Sequence, residues 1–173
     1  MLKKNIVLVG MMASGKTTIG FKLAKKLNYE FIDIDSEIEK SENEKITGIF
    51  SRKGEEYFRK IEEKNTLFFL KKNRCVISVG GGAFLNHKIR KIIKKNSVSF
   101  WLNWKIKTIL IRISKNNRRP LAQKLDNNAL SSLYKKRVKF YKMSDFKVNC
   151  ENKNKNEIIK QISKIIENEN FTN

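Results

Sequence analysis

The apolar residues 6–9 run directly into Gly10-Met11-Met12-Ala13-Ser14-Gly15-Lys16-Thr17, the pattern G-x-x-x-x-G-K-T. Such a loop cradles phosphate when a buried strand delivers it and a helix carries it away, so it constrains the fold more than any other feature of the chain. The flanks fit that frame. Residues 5–10 form a short continuous apolar run, as a strand covered on both faces requires, and Ile19, Leu23, Ala24 and Leu27 then fall on one helical stripe. The glycines let backbone N–H groups turn inward around phosphate oxygens, with the positive end of the helix dipole behind them. Lys16 would reach the β- and γ-phosphates of a nucleotide, and the Thr17 hydroxyl would ligate Mg2+. A competing reading, a cleavable secretion signal, has Lys3 and Lys4 ahead of an apolar core at residues 6–13. It lacks a small-x-small cleavage site before Gly15 and would remove the first strand.

Beyond the loop, strand and helix patterns alternate with no long linker and no internal repeat. Strands are predicted at residues 29–35, at Cys75-Val76-Ile77-Ser78-Val79 running into Gly80-Gly81-Gly82, at Ser97–Asn103 and at residues 145–149. Helical character covers residues 46–70, interrupted near Gly54, then the stripe Ile106, Ile109, Leu110 and Ile113, then residues 129–143. Ile158, Ile159, Ile162, Ile165 and Ile166 mark a closing amphipathic helix. The polar stretch 114–128 holds the only proline, Pro120, and reads as irregular. This alternation predicts an α/β fold with a parallel sheet and helices on both faces, in one domain spanning residues 1–173. Ligands on such sheets bind at the carboxyl ends of the strands, where the unusual residues of this chain cluster.

Composition removes several classes. No apolar run approaches the ~18 residues of a membrane span. The two cysteines, Cys75 and Cys150, show no metal-ligand spacing and read as free thiols in a reducing, cytoplasmic setting. The balance of 38 Lys+Arg against 17 Asp+Glu gives a formal charge of +21 and raises a nucleic-acid-binding NTPase as a rival. Lysine, asparagine and isoleucine crowd the sequence together, as AT-rich codons produce, and no recognition signature accompanies the basic residues. Incidental polyanion affinity is therefore expected, without a dedicated nucleic-acid partner or a membrane partner, and the chain is expected to be a monomer.

The remaining candidates lie at predicted strand ends and on helices. Asp33 and Asp35, two apart on a strand, would share a face, whereas Asp35 or Ser36 could instead cap the next helix. Three consecutive glycines, Gly80 to Gly82, are expected where the chain passes close to something or takes positive φ. Only eight of the basic residues are arginine, the better residue for planar, bidentate anion recognition. Arg59 and Arg137 sit on helices and suit a carboxylate clamp, while Arg119, before Pro120, could ride a mobile lid over a γ-phosphate. His87, at a helix start after the glycines, reads as a surface residue.

Taken in order and spacing, GMMASGKTT, FIDID, EYFRKIEE, VGGGAF, RRPLA and KKRVKFY resemble the shikimate kinases over nearly the whole chain. The resemblance implies a three-layer P-loop NTPase fold with a five-stranded parallel sheet and a lid at about residues 114–128. It implies transfer of the γ-phosphate of ATP to the 3-hydroxyl of shikimate with Mg2+, a step toward the aromatic amino acids. Residue by residue, it implies that Ala13, Ser14, Gly15, Lys16, Thr17 and Thr18 bind ATP, with Arg112 against the adenine. Asp35 would hold the acceptor hydroxyl as candidate base, and Asp33 would bind the Mg2+ shell beside Thr17. Arg59 and Arg137 would grip the shikimate carboxylate, Gly81 and Gly82 would meet the ring hydroxyls, and Arg119 would meet the transferring phosphoryl with Lys16. The lid, SKNNRRPLA, lacks the family's small residues before its arginine, so Arg118 competes with Arg119. The loop NCENKNKNE on the adenine side lacks the expected proline. Another small-metabolite kinase, such as a gluconate kinase, is the nearest alternative; a nucleoside-monophosphate kinase fits the loop residues less well.

Overall fold

The computed structural model describes residues 4–115 and 126–169. Its centre is β1 (Asn5–Val9), whose five residues are all buried. Successive side chains of a strand point to opposite faces, so full burial means that both faces of the sheet are covered at this position. β1 pairs in parallel with β3 (Cys75–Ser78) on one side and with β4 (Ser97–Asn103) on the other. The edges are β2 (Glu30–Asp33), parallel to β3, and β5 (Phe146–Asn149), parallel to β4. The order is β2-β3-β1-β4-β5, a five-stranded parallel sheet.

The first helix, α1 (Lys16–Leu27), buries Ile19, Leu23 and Ala24 against the sheet, with Leu27 packed at the rim of the same core. It ends at Asn28 in the left-handed conformation, a common helix stop. On α1, Gly20 has a packing cause: a Cβ there would lie 2.5 Å from the Phe31 ring and 3.2 Å from Leu8. The long helix α3 (Ile46–Phe69) breaks its helical path at Gly54, where φ is 80°, so the expected interruption is a kink. Helix α4 (His87–Asn96) is capped by the Asn86 side chain, and His87 is exposed on its first turn. Then come α5 (Ile106–Ser114) and α6 (Asn127–Tyr141), the latter capped by Asp126. The closing helix, α7 (Lys155–Asn168), begins with a reciprocal capping box between Asn154 and Glu157 and buries Ile158, Ile159, Ile162 and Ile166.

One boundary differs from the sequence expectation, and the difference matters for the site. The second strand stops at Asp33 instead of reaching residue 35, and α2 (Ile34–Glu42) starts at once. Asp33 Oδ1 accepts hydrogen bonds from the Asp35 and Ser36 N–H groups at 3.1 and 3.4 Å. The strand's last residue is therefore the cap of the next helix, a role expected for Asp35 or Ser36. Asp33 and Asp35 consequently do not stand two apart on a strand. Most of the predicted lid, including Arg118 and Arg119, lies outside the described residues. Both cysteines are buried and unpaired. Among the described residues no helix is long and apolar enough to cross a membrane.

Candidate active site

The loop between β1 and α1 takes three left-handed or extended-positive conformations, at Gly10 (φ 150°), Ala13 (φ 61°) and Gly15 (φ 88°). Gly10 is also crowded, since a Cβ would sit 3.1 Å from the Leu102 carbonyl oxygen. Lys16 is only 7% exposed; its ammonium donates to the carbonyl oxygens of Gly10 at 2.8 Å and Met11 at 2.9 Å. That brace holds a positive charge over the centre of the loop. Thr17 and Thr18 are exposed at the mouth, and the Thr17 hydroxyl donates to Asp33 Oδ2 at 2.6 Å. One carboxylate thus caps α2 with one oxygen and reaches the phosphate loop with the other.

Three hollows follow one another along the carboxyl ends of the strands. The middle one is a cleft bounded by Ala13, Lys16, Thr17, Thr18, Asp33 and Asp35. A groove continues from it past Gly15 and Arg112, which line both, to Ser14, Trp104 and Asn154. On the other side Asp35 and Met12 lead from the cleft into a pocket walled by Arg59, Arg137, Glu62, Gly80 and Gly81. Asp35 therefore stands at the neck between the phosphate cleft and a pocket with two guanidinium groups.

That pocket is made of charges that folding has taken out of water. Arg137 is 4% exposed; its Nη1 approaches the Met11 sulfur at 3.6 Å, and its Nε has no hydrogen-bond partner. Arg59 donates from Nη1 to Glu62 Oε2 at 2.7 Å and from Nη2 to Glu55 at 2.9 Å. Burial opposes the Arg59 charge, but Glu62 and Glu55 outweigh it and hold the guanidinium above its ordinary pKa. Glu62 is 2% exposed. Burial raises its pKa above the ordinary carboxylate value, against the pull of Arg59, and its Oε1 is buried without a hydrogen-bond partner. The Glu62 charge faces Arg137 as well, but a buried guanidinium with a donor left unmatched at Nε is still costly. An anionic group entering this pocket would match that donor.

The glycine triplet owes its composition to these charges. A Cβ on Gly80 would lie on top of Glu62 Oε1, one on Gly81 at 3.0 Å from Arg137 Nη1, and one on Gly82 at 2.5 Å from Arg59 Nη1. None of the three carries the positive φ that the sequence left open; close approach is the reason. The Gly81 carbonyl accepts from the buried Tyr141 hydroxyl at 2.5 Å, whose pKa burial pushes up to about 12. The structure thus brings together Ala13, Ser14, Gly15, Lys16, Thr17, Thr18, Asp33 and Asp35 along one cleft, with Arg112 at one end and Arg59, Arg137, Gly81 and Gly82 at the other. Three residues of this arrangement had been given no role from the sequence. Glu62 lies one turn after Arg59 on α3, a spacing that places both on one face; Trp104 and Tyr141 carried no local signal.

A phosphate loop between a basic groove and a separate pocket with two guanidinium groups is the arrangement of a P-loop kinase acting on a small molecule. The family model described as shikimate kinase matches residues 12–167, and the chain belongs to that family. A shikimate kinase from Persephonella marina is 39% identical over 159 residues, 92% of this chain and 96% of that protein. The shikimate kinase from Acinetobacter baumannii, solved in complex with shikimate, superposes with a TM-score of 0.91 at 29% identity, covering 96% of this chain and 94% of that one. A gluconokinase from Sinorhizobium meliloti, covering 98% of this chain and 97% of that one, reaches a TM-score of 0.60 at 17% identity, a likeness of fold alone. Family membership sets aside the gluconate kinase and nucleic-acid NTPase alternatives.

Proposed function

We infer that the chain moves the γ-phosphoryl group of ATP to the 3-hydroxyl of shikimate, giving shikimate 3-phosphate and ADP. The observation that carries this reading is Asp35 at the neck between the phosphate cleft and the pocket of Arg59 and Arg137. A carboxylate on the acceptor would pair with both guanidiniums and supply the partner that the buried Arg137 Nε lacks. Anchored at that end, the acceptor would present a hydroxyl at Asp35. As the hydroxyl oxygen bonds to the γ-phosphorus and the bond to ADP breaks, Asp35 would take the hydroxyl proton. Lys16 and the loop N–H groups would offset charge gathering on the transferring oxygens. Little covalent help is asked of the protein; orientation and charge placement carry the reaction.

Magnesium fits the donors that are present. Thr17 Oγ1 and Asp33 Oδ2 stand 2.6 Å apart, hard oxygens at the edge of the phosphate cleft. Among the described residues no cluster of three or more His, Cys, Asp or Glu side chains could hold a metal alone. Magnesium keeps waters and phosphate oxygens as most of its ligands, so two protein oxygens suffice to place it. Thr17 would ligate it and Asp33 would hold it through water, and the bound ion would neutralise phosphate charge. We assign Arg119, with Arg118 as competitor, to the lid that covers the phosphates. We further propose that the chain works as a one-domain monomer in the cytoplasm.

The test is ADP release from Mg·ATP with shikimate, gluconate, AMP or no acceptor. Turnover with shikimate alone is expected. Turnover with another acceptor in its place would discard the roles of Arg59 and Arg137 while keeping the phosphate loop.

A further inference from the structure

Trp104 follows β4 where the chain turns toward α5, and only 5% of it is exposed. Its indole N–H donates to the Ser14 carbonyl oxygen, within the phosphate loop, at 2.9 Å. Its backbone carbonyl accepts from the Tyr134 hydroxyl at 2.6 Å, so the ring is held from the loop and the backbone that carries it from α6. Over the ring lies Arg112 of α5, with its guanidinium carbon 3.6 Å from the ring centroid. That is van der Waals contact, well inside the ~6 Å reach of a cation–π interaction. Arg112 also points Nη1 at the Ala13 carbonyl at 3.5 Å, and no ion pair fixes it among the described residues. The nearby acid Glu151 is occupied by the Lys105 N–H at 3.0 Å and the Thr108 hydroxyl at 2.6 Å.

We propose that Trp104 is a positioning residue for the nucleotide. Its indole is the shelf on which the Arg112 guanidinium rests, and the groove that Arg112 lines would bring a nucleobase to that guanidinium. The N–H bond to the Ser14 carbonyl seats the ring beside the phosphate loop, next to the groove that Arg112 and Gly15 line, but the face of the ring, not this bond, is what orders Arg112. Arginine is among the most rotamer-rich side chains, and ordering it before the ligand arrives removes that cost from binding. The inference rests on the reading of the groove as the nucleotide's path and is independent of the acceptor.

The test is calorimetric binding of ADP and of inorganic tripolyphosphate to the full chain and its variants. Trp104→Phe keeps an aromatic face and loses the N–H, and should hold ADP within about threefold of the parent. Trp104→Met keeps apolar bulk without a π face and should weaken ADP about tenfold, with tripolyphosphate changed less than about twofold. In an Arg112→Ala background the Met substitution should add less than about twofold, because the residue it acts through is gone. Equal losses of both ligands, or the same Met penalty with and without Arg112, would overturn the shelf and leave Trp104 as loop packing. Should the Met variant fail to fold, a Phe variant losing much more than threefold for ADP would overturn it instead. Normal ADP binding without shikimate turnover would sink the acceptor reading and leave this one standing.

Discussion

Replacing Glu62 with glutamine should loosen the acceptor's grip without touching the nucleotide. The carboxylate is 2% exposed and takes a charge-assisted hydrogen bond from Arg59 Nη1 at 2.7 Å. Breaking a fully buried pair costs ~3–5 kcal/mol, while surface pairs are worth ~0–1 kcal/mol. The Arg59 side chain is 31% exposed and keeps Glu55, and glutamine retains an acceptor oxygen. An intermediate cost of about 1–2 kcal/mol follows, or about a 5- to 30-fold rise in the KM for shikimate at ~1.36 kcal/mol per decade. The KM for ATP should stay within about twofold. Acidity supplies a second readout. Because burial raises the Glu62 pKa above 4.5, the folded state holds that proton more tightly than the unfolded one. Stability from this group is therefore greatest below pH 4.5 and falls as pH rises through the raised value. Function runs the other way: protonation as pH falls through that value removes the charge that orients Arg59. The parent's KM for shikimate should thus climb at a pH above 4.5, and the glutamine variant should lose that inflection. Steady-state kinetics across pH with each substrate varied would show it. Parallel rises in both KM values, or an unchanged inflection in the variant, would refute the role given to Glu62.

Four other outcomes follow from the same geometry. Asp35→Asn should lower kcat by about 10²–10⁴ while ADP binding, measured by calorimetry, stays near the parent value; near-full turnover would remove Asp35 from the proton transfer. Arg59→Lys should raise the KM for shikimate more than that for ATP, since an ammonium cannot make the bidentate pair; equal effects would argue against a carboxylate clamp. Gly82→Ala places a methyl 2.5 Å from Arg59 Nη1, so initial rates should show a shikimate KM at least about tenfold higher, with thermal stability within about 1 kcal/mol because only the end of a side chain must move. Gly20→Ala should destabilise by about 1–2 kcal/mol in urea unfolding: crowding against Phe31 and Leu8 outweighs the ~1 kcal/mol helix-propensity gain of alanine. Stabilisation there would mean that Phe31 yields freely.

The phosphate loop was legible because the chemistry is local: glycine spacing, a buried strand and the stripe Ile19, Leu23, Ala24 lie within a few turns of one another. The glycine triplet was legible as a place of close approach, but the residues alone did not show its neighbours, since Glu62, Arg137 and Arg59 arrive from α3 and α6; only the family resemblance brought Arg59 and Arg137 to Gly81 and Gly82. The end of β2 was misplaced because Asp33 serves the strand, the cap of α2 and Thr17 together. In α2 only Ile34 and Ile38 are buried, too short a repeat to announce a helix. Glu62 reads locally as one more charged helix residue; only the packing of α3 behind Gly80 makes it a buried acid. Met11 and Met12 are both buried, one meeting Arg137 and the other walling the pocket of Arg59 and Arg137.

The most direct measurement compares ADP formation from Mg·ATP with shikimate and with its neutral carboxamide. Ready turnover of shikimate is expected, with a KM for the carboxamide raised by about 10²-fold or more, because a neutral amide cannot form the charged, bidentate pair with the two guanidiniums. Comparable KM values for the two acceptors, or no turnover of shikimate at all, would contradict it.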